Sequence, residues 1–188
     1  MRWAPIVVVS LVLLALPGAA TGVSARTCVE SGTTVDANSV ARLFYVGAAG
    51  THTLYVCWLD TRRITELGTL DLRETGPDVP VLAGRYVAYD RLLCSEPEDC
   101  VARVVVRDAK TGRQVARAPA QPGRTARIVL TTRGTAVWIR DRVYRLDARS
   151  LTVLDEGGPP AVDYFSLGLG GSHVYWLHDG VARSAVVD

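Results

Sequence analysis

The sequence has few of the side chains from which enzymes build reactive sites. It contains three histidines, His52, His173 and His178, and no Gly-x-Ser-x-Gly sequence of the kind that exposes a nucleophilic serine. Calcium loops of the Asp-x-Asp-x-Asp-Gly type and the glycine patterns that cradle phosphates are also absent. The sequence therefore shows no constellation of reactive side chains, and we expect neither a bound metal nor a cofactor.

Positive and negative charges are nearly balanced along the chain. Twenty-one basic residues stand against nineteen acidic ones, for a net charge of +2, and no basic stripe or run occurs along the chain. A nucleic-acid-binding domain normally concentrates positive charge on one face, so we expect no nucleic-acid partner. Lys110 is the single lysine, and the abundance of arginine, alanine and valine is typical of the codon usage of a GC-rich genome.

A hydrophobic run long enough for a membrane span is missing. The apolar run from Ile6 to Leu16 falls short of the roughly 20 residues that a span needs, and a Pro-Gly pair follows it. A basic start, a short apolar run and small residues before Ala25 are typical of a signal peptide, predicted here as residues 1–25. The mature chain, 26–188, is then one secreted or extracytoplasmic domain without a membrane span. An uncleaved segment would instead anchor it to the envelope.

Four cysteines lie in the part of the chain that we expect to be exported, where thiols are normally oxidised. Cys94 and Cys100 are close in sequence and are expected to pair locally, which leaves Cys28 to pair with Cys57. The alternative, a metal site, is disfavoured because the spacing contains no close cysteine pair and no histidine lies beside a cysteine. The sequence therefore predicts two disulfides.

No helical period persists along the exported region. Short β-branched and aromatic runs, bounded by Gly, Pro, Asp and Asn, recur instead at even intervals, and they predict an all-β domain. Three similar stretches, 56–63, 104–111 and 143–150, each contain an alternating apolar run that ends in aspartate. A period of about forty residues divides the chain into four units. Their approximate bounds are 39–72, 80–118, 127–156 and 164–188.

The aspartates that end these runs are Asp60, Asp108 and Asp147, and we interpret them as structural turn residues. An aspartate carboxylate can accept hydrogen bonds from backbone N–H groups two residues on, which closes a tight turn without help from the core. The last unit departs from the pattern, because Ala185 occupies the aspartate position. It needs one further strand, and residues 28–35 are predicted to supply that strand.

The stretch Asp108-Ala109-Lys110-Thr111-Gly112-Arg113 resembles the turn of pyrroloquinoline-quinone-dehydrogenase-like propeller repeats, and Leu146 to Ser150 is similar to it. The resemblance covers about Phe44 to Leu154. It implies a small propeller-like array of about four antiparallel sheets, closed or nearly closed, with an open, incomplete propeller as the alternative. No quinone-binding residues of that family can be matched in this sequence, so the resemblance implies no cofactor.

Two tryptophans fall at equivalent positions of successive hairpins, Trp138 beside Arg140 and Trp176 beside His178. One interpretation is that the two tryptophans form aromatic platforms for a sugar or peptide, with Arg140 and His178 as further binding residues beside them. The alternative is packing between sheets, since aromatics that recur once per repeat commonly fill that space. A metal pair of His173 and His178 would require an unusual hairpin.

A loop bounded by two cysteines carries three acidic residues, Glu96, Glu98 and Asp99. They are candidates for binding a cation or a basic partner, and the alternative is solvated loop charge. Regular repeats without reactive side chains favour an exported, non-enzymatic binding or scaffold domain for an unknown protein, peptide or glycan. One alternative is an exported carbohydrate-active hydrolase or lyase, and another is an envelope-anchored structural protein. The candidate carboxylates of such an enzyme are Glu96, Glu98, Asp141 and Asp163.

Overall fold

The computed structural model of this protein describes residues 28, 32–48, 51–71, 80–96, 99–122, 125 and 127–187. All regular secondary structure in these ranges is β-strand, which confirms the predicted all-β class. No helix long and apolar enough to cross a membrane is found in the described ranges. The predicted signal peptide, residues 1–25, lies outside them.

Within the described ranges, sixteen strands form four antiparallel sheets that follow one another along the chain. The first sheet contains β1 (Thr33–Ala37), β2 (Ala41–Ala48), β3 (Thr51–Trp58) and β4 (Arg63–Asp71). The second contains β5 (Val81–Ala83), β6 (Tyr86–Glu96), β7 (Asp99–Asp108) and β8 (Gln114–Arg117), with β9 (Gln121–Pro122) paired to β7. The third contains β10 (Arg127–Leu130), β11 (Ala136–Ile139), β12 (Val143–Leu146) and β13 (Leu151–Asp155). The fourth contains β14 (Gly168–Gly170), β15 (His173–His178) and β16 (Val181–Val186).

The first strand joins the first sheet and not the last one. β1 pairs with β2, and Thr34 lies opposite Phe44. The prediction that residues 28–35 close the last sheet is therefore wrong for the part of that segment that lies in β1. The reason is local, because the Asn38 side-chain oxygen accepts hydrogen bonds from the backbone N–H groups two and three residues on. A connection this short costs little loop-closure entropy.

The fourth sheet has three strands in the described part of the chain, and none of the four sheets closes on itself. A closed ring is thus not observed among the described residues. The four sheets are compatible with the open alternative.

Among the described residues, three apolar cores lie between successive sheets. Val105 of β7 belongs to the core with the first sheet, whereas Val104 and Val106 belong to the core with the third sheet. Successive side chains of a strand point to opposite faces, so a sheet that is covered on both faces needs a continuous apolar run. The third core joins the third sheet to the fourth and includes Val137 and Trp176.

Polar side chains also join the first sheet to the second. The Asp36 carboxylate accepts a hydrogen bond of 2.9 Å from the backbone N–H of Leu82. The Asn38 side-chain amide donates one of 2.9 Å to the carbonyl of Gly84. Each bond joins residues 46 positions apart, so together they fix the position of the first sheet relative to the second.

The N-terminal end of the described chain covers the outward face of the first sheet. Cys28 is bonded to Cys57 of β3, as predicted, and both are buried with Phe44 in a small core of their own. The Arg42 guanidinium donates hydrogen bonds to the backbone carbonyls of Cys28 and Gly32. The chain itself therefore covers this end of the array.

The positions of the second predicted disulfide lie at the end of the β6–β7 hairpin. Cys94 and Cys100 are directly opposite each other in the strand register, and Cys100 is disulfide-bonded. No cysteine of the described residues is free. The strand pairing thus brings together the two positions that the prediction joins.

Candidate functional site

The recurring aspartates lie in turns, and two of their carboxylates accept hydrogen bonds from backbone N–H groups of the turn. Asp108 accepts hydrogen bonds of 2.9 and 3.3 Å from the N–H groups two and three residues on, and Asp147 accepts equivalent bonds of 2.8 and 2.9 Å. The bond from the backbone of Arg149 is the main reason why the pKa of Asp147 lies below its usual value. Asp60 is exposed in the turn at 59–62.

Trp138 is a packing residue in this structure. Its side chain is 1% exposed, and its ring stacks on that of Tyr144 with centroids 5.3 Å apart. A platform for a sugar or peptide has to present a ring face to solvent, and Trp138 presents none. Trp176 is likewise buried, at 4% exposed, in the core between the third and fourth sheets, so the interpretation of both tryptophans as ligand platforms is corrected to packing between sheets.

Arg140 is buried within a network that joins the third sheet to the second. Its guanidinium donates hydrogen bonds of 2.9 Å to the Thr125 hydroxyl and 3.2 Å to the carbonyl of Ala102. The same group forms an ion pair of 3.4 Å with the Asp90 carboxylate. Arg140 is 7% exposed, so the structure corrects its predicted binding role to a structural one.

The predicted acidic residues are not gathered into one site among the described residues. The backbones of Glu96 and Asp99 pair at the end of the β6–β7 hairpin, their side chains lie outside the described part, and so does all of Glu98. Asp141 is exposed and accepts hydrogen bonds of 3.0 and 3.1 Å from the Tyr144 hydroxyl. Asp163 is exposed and accepts a bond from the N–H two residues on. The carboxylates of Asp141 and Asp163 thus each bond to a residue within three positions in the sequence.

Trp176 and His178 are brought together by the alternation of β15 and meet a third residue, Asp155. Residues two apart in a strand share a face, and this face of β15 packs on the third sheet. Asp155 is the last residue of β13. The Trp176 indole N–H donates to Asp155 Oδ2 at 2.8 Å, and Nδ1 of His178 lies 2.9 Å from both carboxylate oxygens.

The backbone segment that follows β13 also lies against the imidazole ring of His178. The backbone N–H of Gly157 donates to Asp155 Oδ1 at 2.9 Å. A Cβ at Gly157 would lie 2.5 Å from Cε1 of His178, a distance that real Cβ atoms do not show. The chain therefore passes the ring at a distance that only glycine permits, and His178 is fixed by Asp155 and by this backbone.

These residues border a groove of about 350 Å³ between the outer strands of the third and fourth sheets. Arg183 lies directly opposite Trp176 in the register of β15 and β16, so it shares the face of Trp176 and His178. Its side chain is exposed, and no hydrogen bond or ion pair of its guanidinium is found among the described residues. The residues that line this groove are Leu154, Asp155, Glu156, Trp176, His178, Arg183, Ser184 and Ala185.

The two carboxylates of the groove already have partners. Partial burial by itself would raise the pKa of Asp155, but hydrogen bonds from His178, Gly157 and Trp176 outweigh it and hold the pKa below the usual value of 3.8. Glu156 forms an ion pair of 2.8 Å with Arg142. Among the charged side chains that line the groove, Arg183 is therefore the one without a partner in the described part of the chain, and the outer edge of the His178 ring lies beside it.

The hydrogen bond to Asp155 also determines which ring nitrogen of His178 carries the proton. Because a carboxylate accepts hydrogen bonds, Nδ1 carries the proton in this contact. Nε2 is the ring nitrogen that is not bonded to Asp155. Nε2 lies 3.6 Å from Asp179 Oδ2. His173, five positions earlier in β15, points to the opposite face and stacks near Tyr175 with centroids 6.2 Å apart, so the two histidines do not form a metal pair.

A metal centre is not found in the described ranges. No group of three or more His, Cys, Asp or Glu side chains there is placed to hold a metal ion.

Sequence reasoning found part of this groove and missed part. Trp176 and His178 were singled out by their position in a hairpin, but Asp155 and Arg183 were not. The carboxylate pair before Gly157 and Gly158, at the end of a strand, is the one local signal for Asp155. Its contact with His178 crosses 23 residues and two sheets, which no local pattern encodes.

No model of a known protein family matches the chain, and a search of curated proteins finds no match either.

Proposed function

We propose that this protein is an exported, non-enzymatic binding domain built from propeller-like repeats, and that its groove binds a ligand that carries a carboxylate. The observation that supports this proposal is the exposed Arg183 guanidinium, which has no partner among the described residues and shares a sheet face with the fixed ring of His178. The carboxylate belongs to an acidic peptide or to an acidic glycan, the two sources that the experiment below separates.

The charge arrangement of the groove favours an acidic ligand group. Asp155 accepts three hydrogen bonds and Glu156 forms an ion pair with Arg142, whereas the Arg183 guanidinium has no partner among the described residues. A guanidinium offers a planar pair of donors that matches a carboxylate, and such charge-assisted bonds are stronger than neutral ones.

Export is supported by the cysteines. Cys28 is bonded to Cys57 and Cys100 is disulfide-bonded, and disulfides persist mainly outside the cytoplasm. A secreted or extracytoplasmic location, after removal of residues 1–25, is therefore part of the proposal. Mass spectrometry of the mature protein tests it: an N-terminus at Arg26 supports export with cleavage, and an N-terminus at Met1 contradicts it.

The groove is tested with arrays of acidic peptides and acidic glycans, followed by titration calorimetry of the best ligand. We expect Arg183→Gln to weaken binding about tenfold or more, because a charge-assisted hydrogen bond contributes roughly 1.5–3 kcal/mol. Arg149→Gln is the matched control, since Arg149 is an exposed arginine in a turn away from the groove. Equal affinity of the wild type and Arg183→Gln would overturn the proposal.

A carbohydrate-active hydrolase is the second candidate, and one observation favours it. His178 is held through Nδ1 by a carboxylate, which is the arrangement that orients a general base with Nε2 toward a substrate. The same glycan array, incubated and then analysed by mass spectrometry, separates the candidates. Hydrolysis that His178→Gln abolishes would support the enzyme, whereas intact bound glycan supports the binding domain.

A further inference from the structure

The fourth sheet has one strand fewer than each of the other three in the described part of the chain. In the first three sheets the third strand is paired on both sides, and its outer neighbour is the fourth strand, β4, β8 or β13. Strand β16 is the third strand of the last sheet and pairs with β15 alone among the described residues. Its outer edge is therefore the position that β13 fills in the third sheet.

The hydrogen bonds of β16 show which of its backbone groups point to this edge. The N–H of Val187 donates to the carbonyl of Ser172 at 2.9 Å, so these two residues form a hydrogen-bonded pair. Such pairs alternate along antiparallel strands, and Ala185 and Arg183 form the next two with β15. Backbone N–H and C=O groups point away from β15 at the intervening residues, Ala182, Ser184 and Val186.

These edge groups have no partner in the described part of the chain. No backbone hydrogen bond on the outer side of Ala182, Ser184 or Val186 is found there, and all three residues are exposed. A row of unpaired N–H and C=O groups along an extended strand is a template for another extended backbone. A glycan has no regular row of amide groups at the strand spacing, so this edge favours a peptide over a glycan.

The groove of the proposed function lies along the same edge. Its lining takes Arg183, Ser184 and Ala185 from β16, and Leu154 and Asp155 from β13. A strand added to β16 therefore lies beside the groove, and every second side chain of the added strand faces it. The hydrogen-bonding edge and the groove thus form one continuous surface.

The third sheet shows which side chain of an added strand meets Arg183. Trp138 of β11 lies opposite Tyr144 of β12, and Tyr144 lies opposite Val153 of β13. In the fourth sheet Trp176 lies opposite Arg183. Arg183 therefore corresponds to Tyr144, and a residue of the added strand takes the position of Val153. That residue shares the groove face with Arg183, and an acidic side chain is favoured there because opposite charges on directly opposite residues attract.

We propose that β16 binds an extended acidic peptide segment of another protein by strand addition, with a glutamate or aspartate directly opposite Arg183. Main-chain hydrogen bonds give such a complex its affinity, and the side chains that alternate into the groove give it selectivity. This inference rests on the proposed function, because it uses the same carboxylate site and names an acidic peptide as its ligand. A second copy of β16 is a poorer occupant, since twofold pairing of two β16 strands would bring two Arg183 side chains together on one face.

Backbone methylation of a probe peptide tests strand addition. The probe is the acetylated and amidated peptide Thr-Val-Thr-Glu-Thr-Val-Thr, whose β-branched residues favour an extended chain. A residue opposite Arg183 forms a non-hydrogen-bonded pair, so the glutamate N–H points away from β16 and the N–H of the next threonine points at it. In titration calorimetry, methylation of that threonine N–H should weaken binding about tenfold or more. Methylation of the glutamate N–H is the matched control and should leave the affinity nearly unchanged.

The same titrations separate failure of strand addition from failure of the proposed function. If both methylated peptides bind equally well and Arg183→Gln still weakens binding, strand addition is overturned and the proposed function stands. Binding of acidic glycans without binding of the probe peptide has the same meaning. If threonine methylation weakens binding but Arg183→Gln binds the probe as the wild type does, the proposed function is overturned, and with it the acidic residue opposite Arg183.

Hydrogen exchange of the β16 amides identifies what occupies the edge. Without peptide, the N–H groups of Ala182, Ser184 and Val186 should exchange rapidly, and the probe peptide should slow them about tenfold or more. The N–H groups of Arg183 and Ala185, bonded to β15 in either state, are the internal controls. Slow exchange at the three edge positions without peptide would overturn the proposal. It would mean that the chain itself covers the edge or, if the slowing grows with protein concentration, that a second copy does.

Discussion

Nδ1 of His178 lies 2.9 Å from both carboxylate oxygens of Asp155, and this contact joins the outer strand of the third sheet to the middle strand of the fourth. The same carboxylate accepts the indole N–H of Trp176 and the backbone N–H of Gly157. Asp155 thus holds the Trp176 indole, the His178 ring and the backbone at Gly157 in position.

Replacement of this aspartate by asparagine should destabilise the protein. Asp155→Asn keeps the size of the side chain but replaces one acceptor oxygen by an NH₂ group, so at least one of the three donors loses its partner. We expect the free energy of unfolding to fall by about 1–3 kcal/mol, the usual cost of an unsatisfied buried polar group. Urea denaturation measures it. Asp179→Asn is the control, since Asp179 is largely exposed and asparagine tolerates its positive φ of 50°.

The same variant gives a prediction on pH. The folded protein holds the pKa of Asp155 below 3.8, so its carboxylate stabilises the fold at higher pH. The difference in unfolding free energy between the wild type and Asp155→Asn should be fully present above the usual pKa. It should disappear as the pH falls through the lower pKa of the folded state. Denaturation between about pH 2 and pH 5 measures it, and a difference that grows toward low pH contradicts it.

Two ion pairs should differ sharply in their contribution to the free energy of unfolding. Arg140 and Asp90 are both at least nine-tenths buried, so Asp90→Ala leaves an uncompensated guanidinium in the interior. We expect a loss of about 3–5 kcal/mol from the free energy of unfolding. Arg142 and Glu156 are 44% and 75% exposed, and Glu156→Ala should cost only about 0–1 kcal/mol. Thermal and urea unfolding of both variants provide the comparison, and similar losses would contradict the assignment.

The disulfide between Cys28 and Cys57 should contribute substantially to stability. It closes a loop between residues 29 positions apart, for which chain entropy gives about 3–4 kcal/mol. The double variant Cys28→Ala/Cys57→Ala should therefore lose about this amount in urea unfolding. It should also expose Phe44, which increased binding of a hydrophobic dye would report. The wild type under oxidising conditions is the reference, and an unchanged midpoint would contradict the prediction.

Features decided by neighbouring residues could be predicted from the sequence. The all-β class follows from short alternating runs, and those runs appear as strands such as β7 and β12. The pairing of Cys28 with Cys57 follows once Cys94 is assigned to Cys100, its neighbour in the hairpin. The error about residues 28–35 also concerns neighbouring residues: a three-residue connection at Asn38 commits β1 to β2, a local signal that the prediction did not include.

Burial and contacts between sheets could not be predicted in this way. Trp138 and Trp176 occupy equivalent positions, yet Trp138 stacks inside one core while Trp176 bonds to Asp155 beside the groove. Arg140 follows Trp138 closely in sequence and nevertheless finds its partner Asp90 fifty residues away. Such contacts depend on which faces of two sheets pack together and on how far one is shifted against the other.

The sequence by itself determined that this protein is a series of antiparallel β-sheets with short turns, because hairpins and aspartate turns are closed by residues a few positions apart. The tertiary structure alone decided which polar groups meet. It gives Asp155 three hydrogen-bond donors, fixes His178 against Gly157, and leaves Arg183 exposed in the groove. It also covers the outward face of the first sheet and leaves the outer edge of β16 unpaired among the described residues, since both depend on where whole strands and sheets come to lie.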